Sequence, residues 1–564
     1  MIKIFSSFAI FLSISFVSST PCSEIPASVP WINCDLSLLP SYQPLFTTSV
    51  TFSTADNISQ KLFTHAETCA LGNIVEIASG FAVLTEGGGY GNVWLETQPM
   101  GGAMYGLRNL TLALNNQLIF MRSQRLDGRL PGMITRVENI TINPTYSYPG
   151  NANLSMLQGF YMASPALDVA TLMNRSTSGS NQVAAFLEEL RPVLENFWTW
   201  LWNERNSSLG VLWLPGTSDT GEDNSDKYAS FTSPFLSMDM MGYAHDTARA
   251  LSRIAFLQGN NEAFEKWTLC MNTTATSLKQ VLWLENMGAA YDRERDGSQN
   301  YVTTLVHNNI RAMWSGVFDQ NMADAFISRH LMNHSEFFTS TPLPSISVSD
   351  SHFHDVSGND WSGPPQGLTF QRAIRALESY GHHSELLLIG ALQRKALSQK
   401  FQFPQQIDPF TSKPDKGDCY GPMLLSLLEY TALTTGIAVR PDKLLWSAID
   451  MSVESQPLQS FNYSQQLDDA IYSLTCFGNG TFSGSFNGQN LFVITGSIRV
   501  VTDFLGNVIG VIGASVLQMQ SIELILPHIT QPIKFIVSSN EEWEITSEQT
   551  QPILVRKVPF VEPF

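Results

Sequence analysis

The sequence is short of charged residues, and of basic ones most of all. Charged side chains make up 15% of the 564 residues, and 50 acidic residues outnumber 32 basic ones, which leaves a net charge of −18. Such a chain is a poor partner for nucleic acid or for an anionic membrane, because their phosphates repel it. We therefore expect neither as a partner, and we expect a polar, uncharged surface over a large core.

Long apolar runs are also scarce. One follows Lys3 and ends in small residues near Ser18 to Thr20, which is typical of a cleavable signal peptide and too short for a membrane span. The apolar segment 490–517 is interrupted by Arg499 and Asp503. We expect cleavage near residue 20 and a secreted protein that keeps no membrane attachment. An uncleaved anchor is the alternative.

Cysteine is rare, whereas glycosylation signals are frequent. Asn-x-Ser/Thr triplets begin at Asn57, Asn109, Asn139, Asn153, Asn174, Asn206, Asn272, Asn333, Asn462 and Asn479, which favours a secreted glycoprotein. Six cysteines remain after cleavage and allow three disulfides, of which proximity suggests only Cys22–Cys34. No cysteine or histidine spacing predicts zinc. His352 and His354 could bind a metal, but a polar loop is the alternative, so we expect no metal and no cofactor.

The chain changes character near residue 440. Before it, apolar residues recur at helical spacing, as in the segment 183–202, which has Phe186, Leu187, Leu190, Val193, Leu194, Phe197, Trp198 and Leu201 on one face. Such helices come in pairs, with loops of alternating length. About 380 residues of paired helices are the size of an (α/α)6 toroid. An open solenoid is the alternative, although no repeat period is evident.

Beyond residue 440 the sequence favours strands. Short β-branched runs are broken at Asn487-Gly488 and Gly506-Asn507, which are hairpin signals. We predict a small antiparallel β module, either separate or an extension of the helical domain. The predicted organisation is a signal peptide at 1–20, an N-terminal extension at 21–56, a mainly α (α/α)6 catalytic domain at 57–440, and a linker with a β-rich module at 441–564.

Carboxylates cluster in the loop 219–225, which reads DTGEDNS and follows an aromatic run. Asp219, Glu222 and Asp223 fall within five residues. A carboxyl group packed against aromatic rings or beside another carboxylate keeps its proton to a higher pH, as a general acid must. The loop therefore suits protonation of a leaving group. A solvated loop that caps a helix through Asp223 or Ser225 is the alternative.

Five segments, in order along the chain, resemble those of inverting glycosidases with the six-hairpin fold. The loop 219–225 resembles their S-G-x-D-N-S segment. The other four are VWLETQPMGGAMYGLRN at 93–109, DGRLPGM at 127–133, NDWSGPPQGLT at 359–369 and QQIDPFTS at 405–412. That clan includes trehalases, the processing α-glucosidases of glycoside hydrolase family 63 and the mannosylglycerate hydrolases, which this chain resembles most. The resemblance implies the (α/α)6 toroid and acid/base cleavage of a glycosidic bond.

The resemblance also implies roles for single residues. Asp223 stands at the position of the family's general acid, and Glu96 at that of a carboxylate that lines the sugar site. Aromatic rings stack on sugar faces and polar groups bind hydroxyls, so the same loops supply candidate substrate-binding residues, namely Trp94, Arg129, Asp219, Glu222, Asn224, Trp361, Gln366 and Gln405. Core packing is the alternative for the tryptophans, and a salt bridge or solvation for Arg129.

The general base departs from the family pattern. The base is usually the Glu that opens E-N-Y-N-P-x-T-G, and this chain has Gln405 there. Because a neutral amide cannot take a proton from water, there are three alternatives: the segment aligns with the family in a different register, another carboxylate serves, with Asp408 the first candidate and Glu96 the second, or the function is lost. We expect a secreted glycoside hydrolase that acts with inversion on a small glycoside or oligosaccharide. A carbohydrate-binding pseudoenzyme that kept the pocket is the alternative.

Overall fold

The computed structural model describes residues 46–564, except for 79, 138–140, 149–150, 176–179, 296–299, 451–457, 517–518, 530 and 547–550. The predicted signal peptide and the suggested Cys22–Cys34 pair lie outside the described residues. Within the described part, helices dominate up to residue 435 and strands dominate after it. The change of character near residue 440 therefore corresponds to a real change of secondary structure.

The helices agree with the apolar periodicity of the sequence. The bounds are α1 Asn57–Gly72, α2 Gln98–Tyr105, α3 Leu110–Met121, α4 Ala163–Met173, α5 Ser180–Arg205, α6 Met238–Leu257, α7 Asn261–Val281, α8 Asn308–Ser315, α9 Gln320–Phe326, α10 Gly367–Ser379, α11 His383–Ser398 and α12 Gly421–Thr435. The segment 183–202 lies in α5, and its apolar face is buried. A π-helical turn, Ile327–Leu331, continues α9.

Alternate helices contact one another in order. Helix α2 packs on α4, α4 on α6, α6 on α8, α8 on α10 and α10 on α12, and α12 also contacts α2. The other long helices lie against these six: α1 on α12, α3 on α2, α5 on α4 and α6, α7 on α6, and α11 on α10 and α12. Buried polar residues gather where the inner helices begin, with Gln98 in α2, Asp239 in α6, Asn308 in α8 and Gln366 just before α10. The loops at that end carry the segments singled out above.

Short strands lie between the helices, and longer strands form the C-terminal region. The bounds are β1 Thr48–Thr54, β2 Ile74–Ala78, β3 Phe81–Leu84, β4 Val93–Trp94, β5 Met133–Val137, β6 Thr141–Thr145, β7 Ser147–Tyr148, β8 Asn151–Ser155, β9 Trp213–Leu214, β10 Phe235–Leu236, β11 Trp283–Leu284, β12 Ala289–Ala290, β13 Arg293–Glu294, β14 Gly436–Val439, β15 Leu444–Ala448, β16 Phe461–Leu467, β17 Ala470–Cys476, β18 Thr481–Phe486, β19 Gln489–Thr495, β20 Ile498–Thr502, β21 Val508–Ile512, β22 Met519–Ile525, β23 Ile533–Ser538, β24 Glu541–Glu544 and β25 Ile553–Lys557.

The predicted C-terminal β region is present as two antiparallel sheets. One has the order β1-β16-β17-β18-β19-β22-β23 and the other β14-β15-β20-β21-β24-β25. Inward and outward residues alternate along β16, as expected for a half-buried strand. The indole of Trp446 in β15 packs edge-on against Phe492 in β19, so the sheets share a core. Asn487 and Gly488 form the two-residue turn between β18 and β19, both with positive φ, as their sequence predicts.

Side-chain contacts join the β region to the helices. Buried Arg499 in β20 donates to the carbonyl of Leu433 in α12, and Asn540 donates to Glu385 in α11 at 2.8 Å. Strand β1 comes from the N-terminal side of the helices and pairs with β16, which fixes the first described residues to the C-terminal sheet. Among the described helices, none is long and apolar enough to cross a membrane.

Candidate functional site

The loop after β3 is built on a run of glycines. Residues 86–90 read EGGGY, and the three glycines all have positive φ angles, a conformation that favours glycine. A Cβ atom on Gly87 would lie 2.3 Å from the carbonyl oxygen of Cys419, so only glycine allows the two loops to approach this closely. The run therefore sets Glu86 and Tyr90 at the two ends of a tight turn that lies against the start of α12.

A disulfide bond between α1 and the segment before α12 holds this arrangement in place. Cys69 in α1 and Cys419 just before α12 are bonded, although 350 residues separate them in the sequence. The side chain of Asn73, which follows α1, donates to the carbonyl of Cys419 at 2.8 Å. Cys270 and Cys476 are not disulfide-bonded. The bond thus holds α1, the glycine run and the beginning of α12 together at the loop end of the helices.

A chain of hydrogen bonds joins four loops at this end. The hydroxyl of Tyr90 donates to Oε1 of Gln405 at 2.9 Å, and Nε2 of Gln405 donates to Oδ1 of Asn359 at 2.8 Å. Asn359 in turn hydrogen-bonds the carboxyl group of Asp223. The chain connects the residue at the family's acid position with the residue at its base position. Gln405 acts in it both as acceptor and as donor, which a carboxylate could not do.

Asp223 shares its surroundings with two buried carboxyl groups. Although Asp223 is an exposed residue, desolvation still raises its pKa. Burial raises the pKa of Glu86 to about 7, although the hydroxyl of Tyr420 donates to its Oε1 at 2.8 Å. Burial also raises the pKa of Glu96 well above its usual value, against the opposing charge of Arg372. The negative charge of Asp223 contributes to both increases, so the three groups are electrostatically coupled.

The neighbour of Asp223 in the sequence faces the protein interior. Oxygen atoms of Glu222 lie 2.6 Å from Lys227 Nζ, 2.6 Å from His307 Nε2, 2.9 Å from Asn308 Nδ2 and 3.3 Å from Arg311 Nη2. Burial opposes ionisation of this carboxyl, but Arg311, Lys227 and His307 outweigh it and hold the pKa of Glu222 well below its usual value. Glu222 is thus the charged centre of a buried network beneath the loop 219–225.

Two other predicted sugar ligands are also held by partners. Asp219 is fully buried and pairs with Arg205 at 2.9 Å. Arg129 lies 4.0 Å from Asp127, and its guanidinium stacks over the ring of Trp200 with 5.4 Å between the guanidinium carbon and the ring centroid. Both arrangements fasten the loops 127–133 and 219–225 to α5, and neither residue belongs to the hydrogen-bonded chain that ends at Asp223.

The predicted amide ligands lie on the loops that meet around Asn359. The side chain of Asn224 donates to the carbonyl of Asn359, so the loop 219–225 contacts the loop that precedes α10. Gln366 is buried, and its amide donates to the carbonyl of Asp360 at 2.8 Å. Asn224 thus stands at the exposed rim, whereas Gln366 supports the loop from below. Gln405 lies between Tyr90 and Asn359 in the hydrogen-bonded chain described above.

The two predicted sugar-stacking tryptophans have different surroundings. Trp361 is almost fully buried, and its ring lies 5.7 Å from the imidazole of His307 and 5.6 Å from the guanidinium carbon of Arg311. Trp94 in β4 is half-buried, and its indole N–H has no hydrogen-bond acceptor among the described residues. Of the two, Trp94 is the one with ring surface still open to a ligand.

Asp408, the first candidate for the missing base, forms a turn of its own. Its carboxylate accepts hydrogen bonds from the backbone N–H groups of Phe410 and Thr411, each at 2.8 Å. Burial opposes ionisation, but these hydrogen bonds outweigh it and lower the pKa of Asp408. The structure therefore places Glu96, the second candidate, beside Asp223 and engages Asp408 in holding its own loop.

Several residues of the site carried no signal that sequence reasoning used. Glu86, Tyr90 and Tyr420 all join the arrangement around Asp223. The run EGGGY could have drawn attention, because consecutive glycines between a carboxylate and an aromatic residue mark a close backbone approach. Tyr420 stands directly after the disulfide-bonded Cys419 and has no such marker.

One cluster among the described residues has ligand types suited to a metal ion. His65, Cys69, Asp418 and Cys419 bring their ligand atoms within 4.8 Å of one another. Both cysteines form the disulfide, and Nε2 of His65 lies 2.8 Å from Oδ2 of Asp418, so these four side chains already bond one another in pairs. His352 and His354 pair instead with Asp350 and Asp360.

A cavity of about 1590 Å3 opens at the other ends of the same inner helices. It is lined by ion pairs such as Arg375 with Asp168 and Arg440 with Glu378. The coupled carboxyl groups around Asp223 do not line it. These carboxyl groups of the cavity are neutralised by arginines, whereas the loop end combines the exposed carboxyl of Asp223 with buried carboxyl groups of raised pKa, so the loop end and not this cavity is the candidate active site.

A family model agrees with the resemblance found in the sequence. Residues 99–421 match the model described as the mannosylglycerate hydrolase MGH1-like glycoside hydrolase domain. The match covers more than half of the chain and includes α2 to the first residue of α12. No curated protein sequence matches the chain significantly. The predicted relationship to the six-hairpin glycosidases is confirmed.

Solved structures share the fold at low sequence identity. The GH63 mannosylglycerate hydrolase from Thermus thermophilus in complex with glucose is 14% identical, with a TM-score of 0.53 over 65% of this chain and 99% of that one. A sialidase is 12% identical, with a TM-score of 0.59 over 87% of this chain and 44% of that one. The GH78 rhamnosidase of Bacillus sp. GL1 is 11% identical, with a TM-score of 0.51 over 80% and 41%. The last two alignments cover more of this chain than the helices alone.

Proposed function

Because the chain belongs to the mannosylglycerate hydrolase MGH1-like glycoside hydrolase family and is a glycosidase, we propose that it cleaves a small glycoside or oligosaccharide with inversion at the anomeric carbon. Inverting cleavage uses one carboxyl group that protonates the leaving oxygen and a second group that activates water across the sugar. The observation that carries the proposal is the hydrogen-bonded chain from Asp223 through Asn359 to Gln405, which spans the two positions that such a reaction uses.

Asp223 is the general acid in this proposal. It is the exposed member of the carboxyl group cluster, so a leaving oxygen can reach it, and desolvation raises its pKa in the direction that an acid requires. A bound sugar would remove more water from this carboxyl and raise the pKa further. Asn359 orients the carboxyl group through its hydrogen bond, and Asn224 and Trp94 provide the polar and the stacking contacts that a sugar ring needs.

The (α/α)6 toroid is part of the same proposal. It is supported by the unbroken series of contacts among α2, α4, α6, α8, α10 and α12, which returns from α12 to α2. All six of these helices begin at the end where the loops meet, so their first turns and the loops before them would surround one pocket. An experimental structure in which α12 and α2 are separated would contradict this arrangement.

Secretion into an oxidising compartment also remains a proposal. The described acceptor asparagines Asn57, Asn109, Asn174, Asn206, Asn272, Asn462 and Asn479 are exposed, and Asn333 is half-exposed. The Cys69–Cys419 disulfide fits the same compartment. Recombinant expression in a eukaryotic host should yield protein in the medium whose gel mobility increases after endoglycosidase treatment. Protein retained in the cells and unchanged by the enzyme would contradict secretion.

The test of the activity is a substrate screen with stereochemical readout. The purified chain is incubated with mannosylglycerate, disaccharides and nitrophenyl glycosides, and the first-formed anomer is identified by NMR. We expect hydrolysis of at least one class with inverted configuration. Retained configuration would contradict inversion, and no hydrolysis of any glycoside would contradict the proposed function as a whole.

Asp223→Asn tests the acid. The change keeps size and hydrogen bonding but removes the transferable proton, so kcat on a natural glycoside should fall by about 10²–10⁴-fold. Nitrophenyl glycosides should lose much less, because their leaving groups need little protonation. Turnover of the natural glycoside within a few-fold of wild type would show that Asp223 is not the acid.

A further inference from the structure

The candidate site lacks the family's residue that activates water. Gln405 stands at the position of the family's base, and both ends of its amide are engaged, since Oε1 accepts from Tyr90 and Nε2 donates to Asn359. An amide has no basic site at working pH, and replacing it by a carboxylate would leave Oδ1 of Asn359 without its donor. Another group within the same pocket must therefore take the proton from water.

Glu96 is unsuited to that task. Its side chain is buried against the backbone of Gly221. A Cβ atom added to Gly221 would lie 1.9 Å from Oε2 of Glu96. Burial raises the pKa of Glu96 well above the usual value and so favours the protonated form of this group. A protonated carboxyl cannot accept a proton from water. Glu96 instead faces Arg372, whose Nη2 lies 3.6 Å from its Oε2.

Glu86 has the position that Glu96 lacks. Its backbone is fixed on both sides: the glycine run follows it, and its carbonyl accepts the N–H of Gly421 at 2.6 Å. Oε1 is held by the hydroxyl of Tyr420, while none of the described residues donates a hydrogen bond to Oε2. One oxygen is thus anchored, and the other is left to interact with a small molecule such as water.

Glu86 also lies near the end of the hydrogen-bonded chain that is opposite to Asp223. It is at the Tyr90 end, and its charge acts on Tyr90, whose ring meets Tyr420 edge-on with 6.3 Å between centroids. Asp223 is at the opposite end of the chain, yet near enough for its charge to affect Glu86. In inverting enzymes the acid and the base act on opposite faces of the sugar ring, and groups at the two ends of this chain could do so.

We propose that Glu86 is the general base that takes the place of the missing family carboxylate at Gln405. The inference rests on the proposed inverting hydrolysis. As the oxygen of water bonds to the anomeric carbon, the bond from that carbon to the leaving oxygen breaks. One water proton passes to Oε2 of Glu86, and the proton of Asp223 passes to the leaving oxygen. Release of the proton from Glu86 and reprotonation of Asp223 by solvent restore the enzyme.

The test compares Glu86→Gln with Asp223→Asn on substrates of different leaving groups. Loss of the base slows attack by water whatever the leaving group, so Glu86→Gln should lower kcat at least about 10²-fold on natural and nitrophenyl glycosides alike. Asp223→Asn should spare the nitrophenyl substrates. Glu76→Gln is the matched control, because Glu76 is an exposed carboxylate in β2 and should leave kcat unchanged.

The outcomes separate the two proposals. If Glu86→Gln stays within a few-fold of wild type while Asp223→Asn loses activity as expected, the assignment of Glu86 is wrong and the acid stands. If both variants retain activity, neither carboxyl group has its proposed role, whereas absence of hydrolysis by wild type would contradict the proposed function itself. If Glu86→Gln spares nitrophenyl substrates and Asp223→Asn does not, the two carboxyl groups have the opposite roles and the assignment is overturned.

A second variant keeps the inference testable if Glu86→Gln folds poorly. In Glu86→Ala, the space left by the side chain admits azide, which needs no base. Added sodium azide should restore release of nitrophenol and give a glycosyl azide of inverted configuration. A Glu86→Ala protein with an unchanged melting profile that gives no glycosyl azide would contradict the proposal.

Discussion

Tyr420→Phe offers a test of Glu86 that does not destroy the carboxyl group. The substitution removes one hydroxyl, which donates to Oε1 of Glu86 at 2.8 Å, and keeps the ring that packs against Tyr90. This hydrogen bond stabilises the ionised form of Glu86, so its loss must raise the pKa from its present value of about 7. The pKa of Glu86 can only rise, because the substitution removes an interaction that lowers the pKa and leaves the burial that raises it.

The size of the effect follows from the strength of the bond. A hydrogen bond to a charged group contributes about 1.5–3 kcal/mol, and about 1.4 kcal/mol corresponds to a tenfold change in an equilibrium constant. If the hydroxyl favours only the ionised form, the limb of the pH profile that titrates near pH 7 should move upward by about one to two pH units. Part of the bond persists to the neutral acid, so this range is an upper bound.

The assay is kcat/KM against pH for wild type, Tyr420→Phe and a matched control. Tyr430→Phe is that control, because Tyr430 is a buried tyrosine in α12, the helix that Tyr420 precedes, and its hydroxyl lies 3.4 Å from the carbonyl of Phe370. It should leave the limb in place. A limb that moves equally in both variants, or in neither, would refute the reasoning that ionisation of Glu86 limits catalysis.

Three further predictions concern stability. Burial raises the pKa of Glu86 from 4.5 to about 7, so the free energy of unfolding of wild type falls as pH rises through this range. Glu86→Gln lacks this loss, and its free energy of unfolding relative to wild type should therefore rise by about 3 kcal/mol between mildly acidic and alkaline pH. A difference in urea unfolding that does not change with pH would contradict this prediction. Glu222→Gln should lower the free energy of unfolding by about 3–5 kcal/mol, because Lys227 and Arg311 lose the buried negative charge that they share. A change under about 1 kcal/mol would show that these ion pairs do not stabilise the fold. Replacing Cys69 and Cys419 together by serine should cost about 2–4 kcal/mol in the same assay, and an unchanged unfolding midpoint would show that the disulfide contributes nothing.

The helices and the C-terminal strands could be predicted from the sequence because their signals are local. The apolar spacing in 183–202 indicates α5, and the Asn487-Gly488 pair indicates the turn between β18 and β19. In both cases the residues that decide the conformation are within a few positions of one another. The short strands β5 to β8, inside the helical region, had no comparable signal and were not predicted.

The motif loops could be predicted as a set, but not their individual roles. The loops 219–225, 359–369 and 405–412 do meet, through Asn224, Asn359 and Gln405. Asp408, in the same segment as Gln405, was an equally reasonable candidate by its position in the chain. Which side chain enters the pocket depends on the turn that each loop makes, and Asp408 is directed into its own turn by the N–H groups of Phe410 and Thr411.

Glu222 and Asp223 show where the information in the sequence ends. As adjacent residues they determine, by type and spacing alone, that carboxyl groups gather in this loop. Only the tertiary structure decides that the pKa of Glu222 falls, beside Lys227 and Arg311, while that of Asp223 rises at the rim. Likewise Glu86 acquires its anchor from Tyr420, 334 residues away. A pKa is set by desolvation and by neighbouring charges, and folding brings those neighbours from distant parts of the chain.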